Sequence, residues 1–286
     1  LLKPPGEGWS LVDTGESDTT VYRREDVYAK CCDPSGVGEL AAERDRIHWL
    51  SATELPGATV LDWLESPESP ESPDSLESLE SPESPEPDDP LAPSERRAAG
   101  GFGGIGACLL TSAVPGVPGD ALPPASHEQA MRSLGRALRD LHSLRDCPFE
   151  RPLGEVIAAA TDVVRRGAVN PQFLTDEWRK VSPDELLREV VAERTYVESV
   201  LEPVVCHGDA CLPNVFFDPD TLDVTGLIDL GRLGIADRYS DLALTTIQLH
   251  DEWSADPAPF LAAYGVPDPD PRRLHFFRLL DPLTWG

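Results

Sequence analysis

The chain has 286 residues, 40% of them hydrophobic, and a formal net charge of −27 at neutral pH. That length accommodates two lobes with cores of their own, and so acidic a surface repels a nucleic-acid backbone and favours a cationic partner. No run of about 18 apolar residues occurs, and the first ten residues lack the basic and apolar regions of a secretory leader, so a cytoplasmic protein with no membrane partner is expected. The six cysteines form no C-x-x-C pair, which favours reduced thiols over disulfides or zinc. Only three lysines are present, Lys3, Lys30 and Lys180. A lysine within a strand is therefore a candidate for a specific task.

Residues 9–30 alternate apolar and polar side chains around a turn and predict strands at 9–13, 21–24 and 27–30. The loop at 14–18 is a hairpin loop of small polar residues, through which backbone N–H groups can approach a phosphate. Residues 38–50 predict a helix with Leu40, Ile47 and Leu50 on one stripe, and Glu43 falls on that same stripe. A carboxylate on a buried face needs a cation. Lys30, ending the third strand, is the natural one; a Glu43 snorkelling beside Arg44 or Arg46 is the alternative.

Residues 55–64 predict a further strand, after which composition collapses. Residues 65–90 hold ten acids, no base, and otherwise only Ser, Pro and two Leu. Such a segment cannot bury a core, and it predicts a disordered or polyproline-like surface insertion. The G-x-G-x-x-G at 101–106 follows that tract and feeds an apolar strand at 107–110. That is the reverse of the order a dinucleotide fingerprint requires, so it predicts a flexible return into the sheet. Residues 111–116 end the strand in a turn and predict a hinge. Ser126 and Gln129 form a capping-box pattern for a helix at 127–144 with Met131, Leu134, Leu138 and Leu141 as its core stripe. Two more helices, at 153–166 and 183–201, flank an acidic loop at 173–178.

The stretch 204–229, VVCHGDACLPNVFFDPDTLDVTGLID, organises the rest. Apolar runs at 204–206, 215–217 and 224–228 predict three short strands, with Asp209 and Asn214 on the loop between the first two and Asp229 at the end of the third. A carboxylate, an amide five residues on and a second carboxylate are what phosphoryl transfer from a nucleotide requires. The first, Asp209, accepts the proton of an attacking hydroxyl, while Asn214 and Asp229 hold Mg²⁺. Asp237 and Asp241 then fall four residues apart near the start of a helix predicted from residue 236. They predict either helix capping or support of the catalytic loop.

His207-Gly208-Asp209 with Asn214 and Asp229 resembles the catalytic loop and metal-binding Asp of the protein-kinase-like superfamily. VVCHGDACLPN followed by GLIDLGRLGIADRYSDLAL is similar to the aminoglycoside phosphotransferases, and GELAAERDRIHWL, AVPGVP, CPFERPL, AVNPQFL and LDPLTWG to those acting on the 3″-hydroxyl of streptomycin. The resemblance covers nearly the whole chain outside residues 65–100. It implies an α+β, protein-kinase-like two-lobe fold. Residues 1–114 form a small nucleotide-binding lobe of antiparallel β-sheet with one helix, interrupted at about 65–100; residues 115–286 form a larger, mostly helical catalytic and substrate-binding lobe.

The same resemblance implies a monomeric kinase that uses ATP and Mg²⁺ to phosphorylate streptomycin, a cationic drug, and so confers resistance. Asp209 is then the base, Asn214 and Asp229 the metal ligands, and Lys30 a phosphate contact positioned by Glu43. Ser17 is similar to a phosphate-loop serine, and Ser112 and Val114 fall at the adenine-contacting hinge. Asp176, Glu177 and Asp281 are expected around the drug. Where the 3′-kinases commonly end Leu-Leu-Asp-Glu, this chain has Pro282 in place of the Glu, which argues against a kanamycin-type site. Two other readings remain: a kinase of this fold for another aminoglycoside or hydroxylated small molecule such as choline or a tuberactinomycin peptide, and a non-catalytic binder of drug or nucleotide.

Overall fold

The computed structural model describes residues 8–12, 19–66 and 104–286. The loop bearing Ser17, nearly all of the acidic insertion and the first half of the glycine motif lie outside the described residues. The chain divides into two compact units, one of Leu1–Ala41 with Leu61–Thr111 and one of Ala42–Val60 with Ser112–Gly286.

The first unit is built on a five-stranded sheet. Strands β1 (Ser10–Val12), β2 (Thr20–Arg24) and β3 (Val27–Cys32) form an antiparallel meander, with Val21 opposite Lys30 and Ser10 opposite Arg23. Strands β4 (Val60–Glu65) and β5 (Ala107–Ser112) complete it in the order β1-β2-β3-β5-β4. β4 begins later than the strand expected at 55–64, because Pro56 and Gly57 keep the chain out of the ladder until Val60. The described end of the glycine motif is pinned: Gly106 donates its N–H to the Cys32 carbonyl at 2.8 Å and accepts from Ser66 N–H at 2.8 Å.

Cys31 and Cys108 form a disulfide, contrary to the expectation of reduced thiols. Their separation of 77 residues in sequence hides the pairing, but β3 and β5 are neighbours in the sheet and bring the two Cα atoms to 4.1 Å. The bridge lies in a small core with Ala29, onto which Trp9, Tyr22, Ile105 and Leu110 pack. Cys32, Cys147, Cys206 and Cys211 are free thiols.

Helix α1 (Val37–Ser51) follows an Asp33-capped turn. Its buried stripe is Leu40, Glu43, Ile47 and Leu50, as the spacing predicts, with Glu43 only 7% exposed.

The second unit is helical around two short sheets. α2 (His127–Ser143) buries Met131, Leu134, Leu138 and Leu141 and packs on α6 (Ala258–Tyr264). That approach requires Gly135: a Cβ there would lie 2.4 Å from the Phe260 carbonyl oxygen. The capping box expected at Ser126 does not form. Ser126 itself is αR at the end of a 3₁₀ turn, which takes its hydroxyl off the first-turn amides, and Gln129 donates instead to the Thr221 carbonyl. α3 (Leu153–Arg165) and α4 (Pro183–Ser199) follow, the latter capped by Ser182, whose hydroxyl accepts from Glu185 N–H.

Strands β7 (Pro203–Cys206) and β10 (Gly234–Asp237) pair antiparallel, as do β6 (Val117–Pro118) with β8 (Val215–Phe217) and β8 with β9 (Val224–Leu227). Residues 236 and 237 thus end a strand and do not begin a helix. α5 starts later, at Tyr239–Asp251, because Asp237 caps it by accepting from Tyr239 N–H. α7 (Pro271–Leu280) carries Arg273, whose guanidinium grips both carboxylate oxygens of Asp237 at 2.8 and 2.6 Å and Glu202 at 2.6 Å. Among the described residues no helix is long and apolar enough to cross a membrane.

Closing a loop of this length by a disulfide is worth about 4 kcal/mol in the chain-entropy picture. Cys108→Ser should therefore lower the midpoint of urea unfolding and steepen its slope, because the unfolded chain is released from the cross-link. Wild-type protein kept in excess dithiothreitol should match it; equal stability of oxidised and reduced protein would show that the bridge carries no load.

Candidate active site

The loop after β7 is fixed from several sides. Gly208 has φ +81, and a Cβ there would fall 2.3 Å from the Arg232 carbonyl oxygen, so glycine alone fits. The Asp241 carboxylate, fully buried on α5, accepts from His207 N–H at 2.7 Å and from Gly208 N–H at 2.8 Å. Arg151 donates to the Gly208 carbonyl at 3.3 Å. The His207 ring lies between Asp209 N–H, 3.2 Å from Nδ1, and the Ile228 carbonyl, 3.1 Å from Nε2. An Nε2–H tautomer satisfies both.

This bonding also delivers the second carboxylate. Ile228 N–H donates to the Asn214 carbonyl at 3.0 Å while Ile228 O receives His207, so the residue before Asp229 is tied to both halves of the loop. Asp229 turns the chain in a left-handed conformation, φ 58 and ψ 59, into the 3₁₀ turn Leu230–Arg232. Asn214 spends its amide N–H groups on Asp209, at 3.0 Å to Oδ2 and 3.1 Å to the backbone oxygen. Its side-chain oxygen is the atom that could take a cation. With the Asp229 carboxylate it makes a hard oxygen donor set that fits Mg²⁺.

Carboxylates crowd here. Burial, then Asp281 and Asp229, push the Asp209 carboxyl above its usual range, against the lowering influence of His207 and Arg232. Burial likewise raises Asp281, although Arg232 and Arg151 pull it back. Arg232 is the local counter-charge. Its guanidinium lies 3.5 Å from Asp281, donates to the Thr284 hydroxyl at 3.0 Å and stacks 3.4 Å above the Trp285 ring. Burial pulls its pKa down, and the charges of Asp281, Asp209 and Asp229 oppose that fall.

Asp209, Asn214, Asp229 and Asp281 therefore come together. Asp176 does not join them: its side chain is 91% exposed and pairs with Arg179 on the loop between α3 and α4, next to Glu177. Ser112 is held by Thr59, whose N–H and hydroxyl both bond to its Oγ, and Val114 is buried against Gly226. Lys30 is half-buried on β3. Arg151, Arg232, His142 and Trp285 were not singled out from the sequence. The available signal was an arginine three residues beyond Asp229, in a stretch otherwise apolar enough to be buried.

Comparison with known proteins accounts for this arrangement. The phosphotransferase enzyme family matches residues 8–277. The chain is 41% identical to the streptomycin 3″-kinase of Streptomyces griseus, over 98% of this chain and 94% of that one. It is 32% identical to an aminoglycoside 3′-phosphotransferase of Streptomyces fradiae, over 98% and 96% respectively. Among solved structures, the aminoglycoside phosphotransferase APH(3″)-Id of Streptomyces rimosus, in complex with ADP and streptomycin, superposes with a TM-score of 0.77 at 39% identity, covering 99% of this chain and 95% of that chain. The fold is the protein-kinase-like one, and by matching that family along nearly its whole length the chain belongs to the phosphotransferase enzymes.

Proposed function

We propose that the protein is a streptomycin 3″-kinase that uses ATP with Mg²⁺ and inactivates the drug. The observation that carries this reading is the set Asp209, Asn214 and Asp229, in which Asn214 bonds to Asp209 and to the residue before Asp229, in a chain 41% identical over its length to a streptomycin kinase. In the proposed reaction the 3″-hydroxyl oxygen attacks the γ-phosphorus, the bond from that phosphorus to the β,γ-bridging oxygen breaks, and ADP leaves. Asp209 orients the hydroxyl and takes its proton, and its raised pKa strengthens it as an acceptor. Asn214 and Asp229 are the residues that would hold Mg²⁺, which when bound neutralises phosphate charge. Lys30, Ser17, Ser112 and Val114 are proposed nucleotide contacts, and Glu43 a buried support for them. Asp281, with Asp176 and Glu177, is proposed to face the guanidinium and amine groups of the drug.

Incubation of streptomycin with ATP, Mg²⁺ and enzyme should add one phosphoryl group, and fragmentation in the mass spectrometer should place it on the methylglucosamine ring. Phosphorylation of kanamycin with streptomycin left untouched would overturn the substrate.

Asp209→Asn should lower kcat by about 10²–10⁴, the range of general-base contributions, with ATP affinity kept. The same variant has a thermal signature. Because the folded-state carboxyl is raised, an ionised Asp209 costs the native state stability at neutral pH, and that cost is relieved as pH falls. Asp209→Asn should therefore melt higher than wild type at pH 7, with the gain shrinking towards pH ~4, near the ordinary carboxylate value.

Asp229→Ala should raise the Mg²⁺ concentration needed for half-maximal rate as well as lower kcat. An unchanged Mg²⁺ dependence would place the ion elsewhere.

A further inference from the structure

Behind the catalytic loop, the second unit holds a cavity of about 290 Å³. Its walls are mostly apolar: Leu153 and Val156 of α3, Leu201 after α4, Ile235 of β10, and Phe277 and Leu280 of α7. It touches Gly208 and Asp281, but Asp209, Asn214 and Asp229 do not line it. The space is therefore distinct from the one in which an attacking hydroxyl and a metal ion would meet.

The charges on its wall are unequally answered. Asp237 is gripped by Arg273 at 2.8 and 2.6 Å, and Asp281 faces Arg232 at 3.5 Å. Glu150 lies on the exposed rim. Arg151 is half-buried, and its side chain makes one hydrogen bond, to a neutral acceptor, the Gly208 carbonyl at 3.3 Å. Among the described residues no carboxylate forms an ion pair with it. A guanidinium carries five N–H donors, so most of its capacity is unspent.

The surroundings add positive potential. Burial first, and the charge of Arg151 after it, pull down the pKa of both Arg46 and Arg232, so three guanidinium groups lie within electrostatic reach of one another. α3 begins at this wall behind Pro152 with no side-chain cap, and its positive end contributes to the same field. A second polar group is short of a partner. Ser240, on the cavity wall, buries its Oγ with only the weakly accepting Cys206 sulfur beside it. A buried hydroxyl in that state marks a place for a ligand atom or a water.

We propose that this cavity is a binding site for a small apolar monocarboxylate, its carboxylate paired with Arg151 and its body lying against Val156, Ile235 and Phe277. The volume is that of about ten waters, which suits a single ring bearing one carboxylate. An apolar cation would meet Arg151 and the positive end of α3. A strongly hydrated anion such as phosphate would give up its water against apolar walls that offer few donors in return. No step of phosphoryl transfer is needed for the site to exist.

Benzoate is the probe. In calorimetric titrations of the whole protein with Mg²⁺-ADP present, to occupy the proposed nucleotide site, benzoate should bind saturably and one to one. Amide shifts followed by NMR should centre on Leu153, Gly208 and Ala236. Arg151→Gln removes the charge that pairs with the carboxylate and should weaken binding at least tenfold, or about 1.4 kcal/mol. Val156→Trp fills the space, leaves Arg151 in place and should weaken binding by at least as much. Benzylamine, with the same ring and the opposite charge, and inorganic phosphate should each bind at least tenfold more weakly than benzoate.

No saturable binding of benzoate, an affinity unchanged in either variant, benzylamine or phosphate binding as tightly as benzoate, or shifts centred on Asp209 and Asn214 would overturn the proposal. If Arg151→Gln does not fold, Val156→Trp and the contrast between benzoate and benzylamine decide it. If the wild-type protein phosphorylates no aminoglycoside, the kinase reading fails, while the same titrations without nucleotide still decide the cavity.

Discussion

The Asp241 carboxylate, stripped of water and bonded to two consecutive backbone amides, is the constraint on which the catalytic loop depends. An isolated buried charge is so unfavourable that it settles only where donors converge on it. Here the donors are the His207 and Gly208 amides, and engaging both demands the positive φ that Gly208 alone supplies. Once the loop is set, the remaining bonds follow in series. His207 and Asn214 each take one end of the Ile228 peptide unit, and Asp229 is delivered beside Asp209 although twenty residues separate them. The approach of the two acids thus depends on the bonds that His207 and Asn214 make to the Ile228 backbone.

Acidity in this chain operates at two levels. At the site, Asp281 and Asp229 add to burial in raising the proton affinity of Asp209, and the stacked guanidinium of Arg232, with Arg151 behind the loop, opposes the build-up of negative charge. Arg232 and Arg151 both favour the ionised form of Asp281, so the negative charge of the cluster is maintained by cations. Elsewhere the charge is a solvated surface, as at Asp176, where an exposed pair with Arg179 is worth at most about 1 kcal/mol. The net charge alone does not distinguish these two populations.

Much of this was legible in the sequence because it depends on local spacing. The stripe Leu40, Glu43, Ile47 and Leu50, the helix at Met131 to Leu141 and the triplet Asp209, Asn214 and Asp229 are each written within a few turns or one hairpin. What spacing does not encode was missed. The Cys31–Cys108 bridge joins strands 77 residues apart, the Ser126 cap gives way to a 3₁₀ turn, and Asp237 leaves its expected helix because β10 pairs with β7. The pair Asp237 and Asp241 is instructive. The sequence offered capping or loop support for both, and the structure assigns one to each. The residues proposed for drug and nucleotide contact carry no such local signature, since surface acids such as Asp176 and Glu177 obey no periodicity.

The grip of Arg273 on Asp237 and Glu202 has an evolutionary reading. Both Asp237 oxygens face one guanidinium nitrogen, Glu202 takes the other, and Glu202 N–H also donates to Asp237. Losing Arg273 or Asp237 strands a buried charge, a penalty of about 3–5 kcal/mol, whereas exchanging the buried pair for apolar residues is close to neutral. Divergent homologues must therefore cross from one solution to the other in a concerted way. Arg273 and Asp237 are expected to drift as a pair through time, while exposed positions such as Glu202 and Asp176 change one residue at a time.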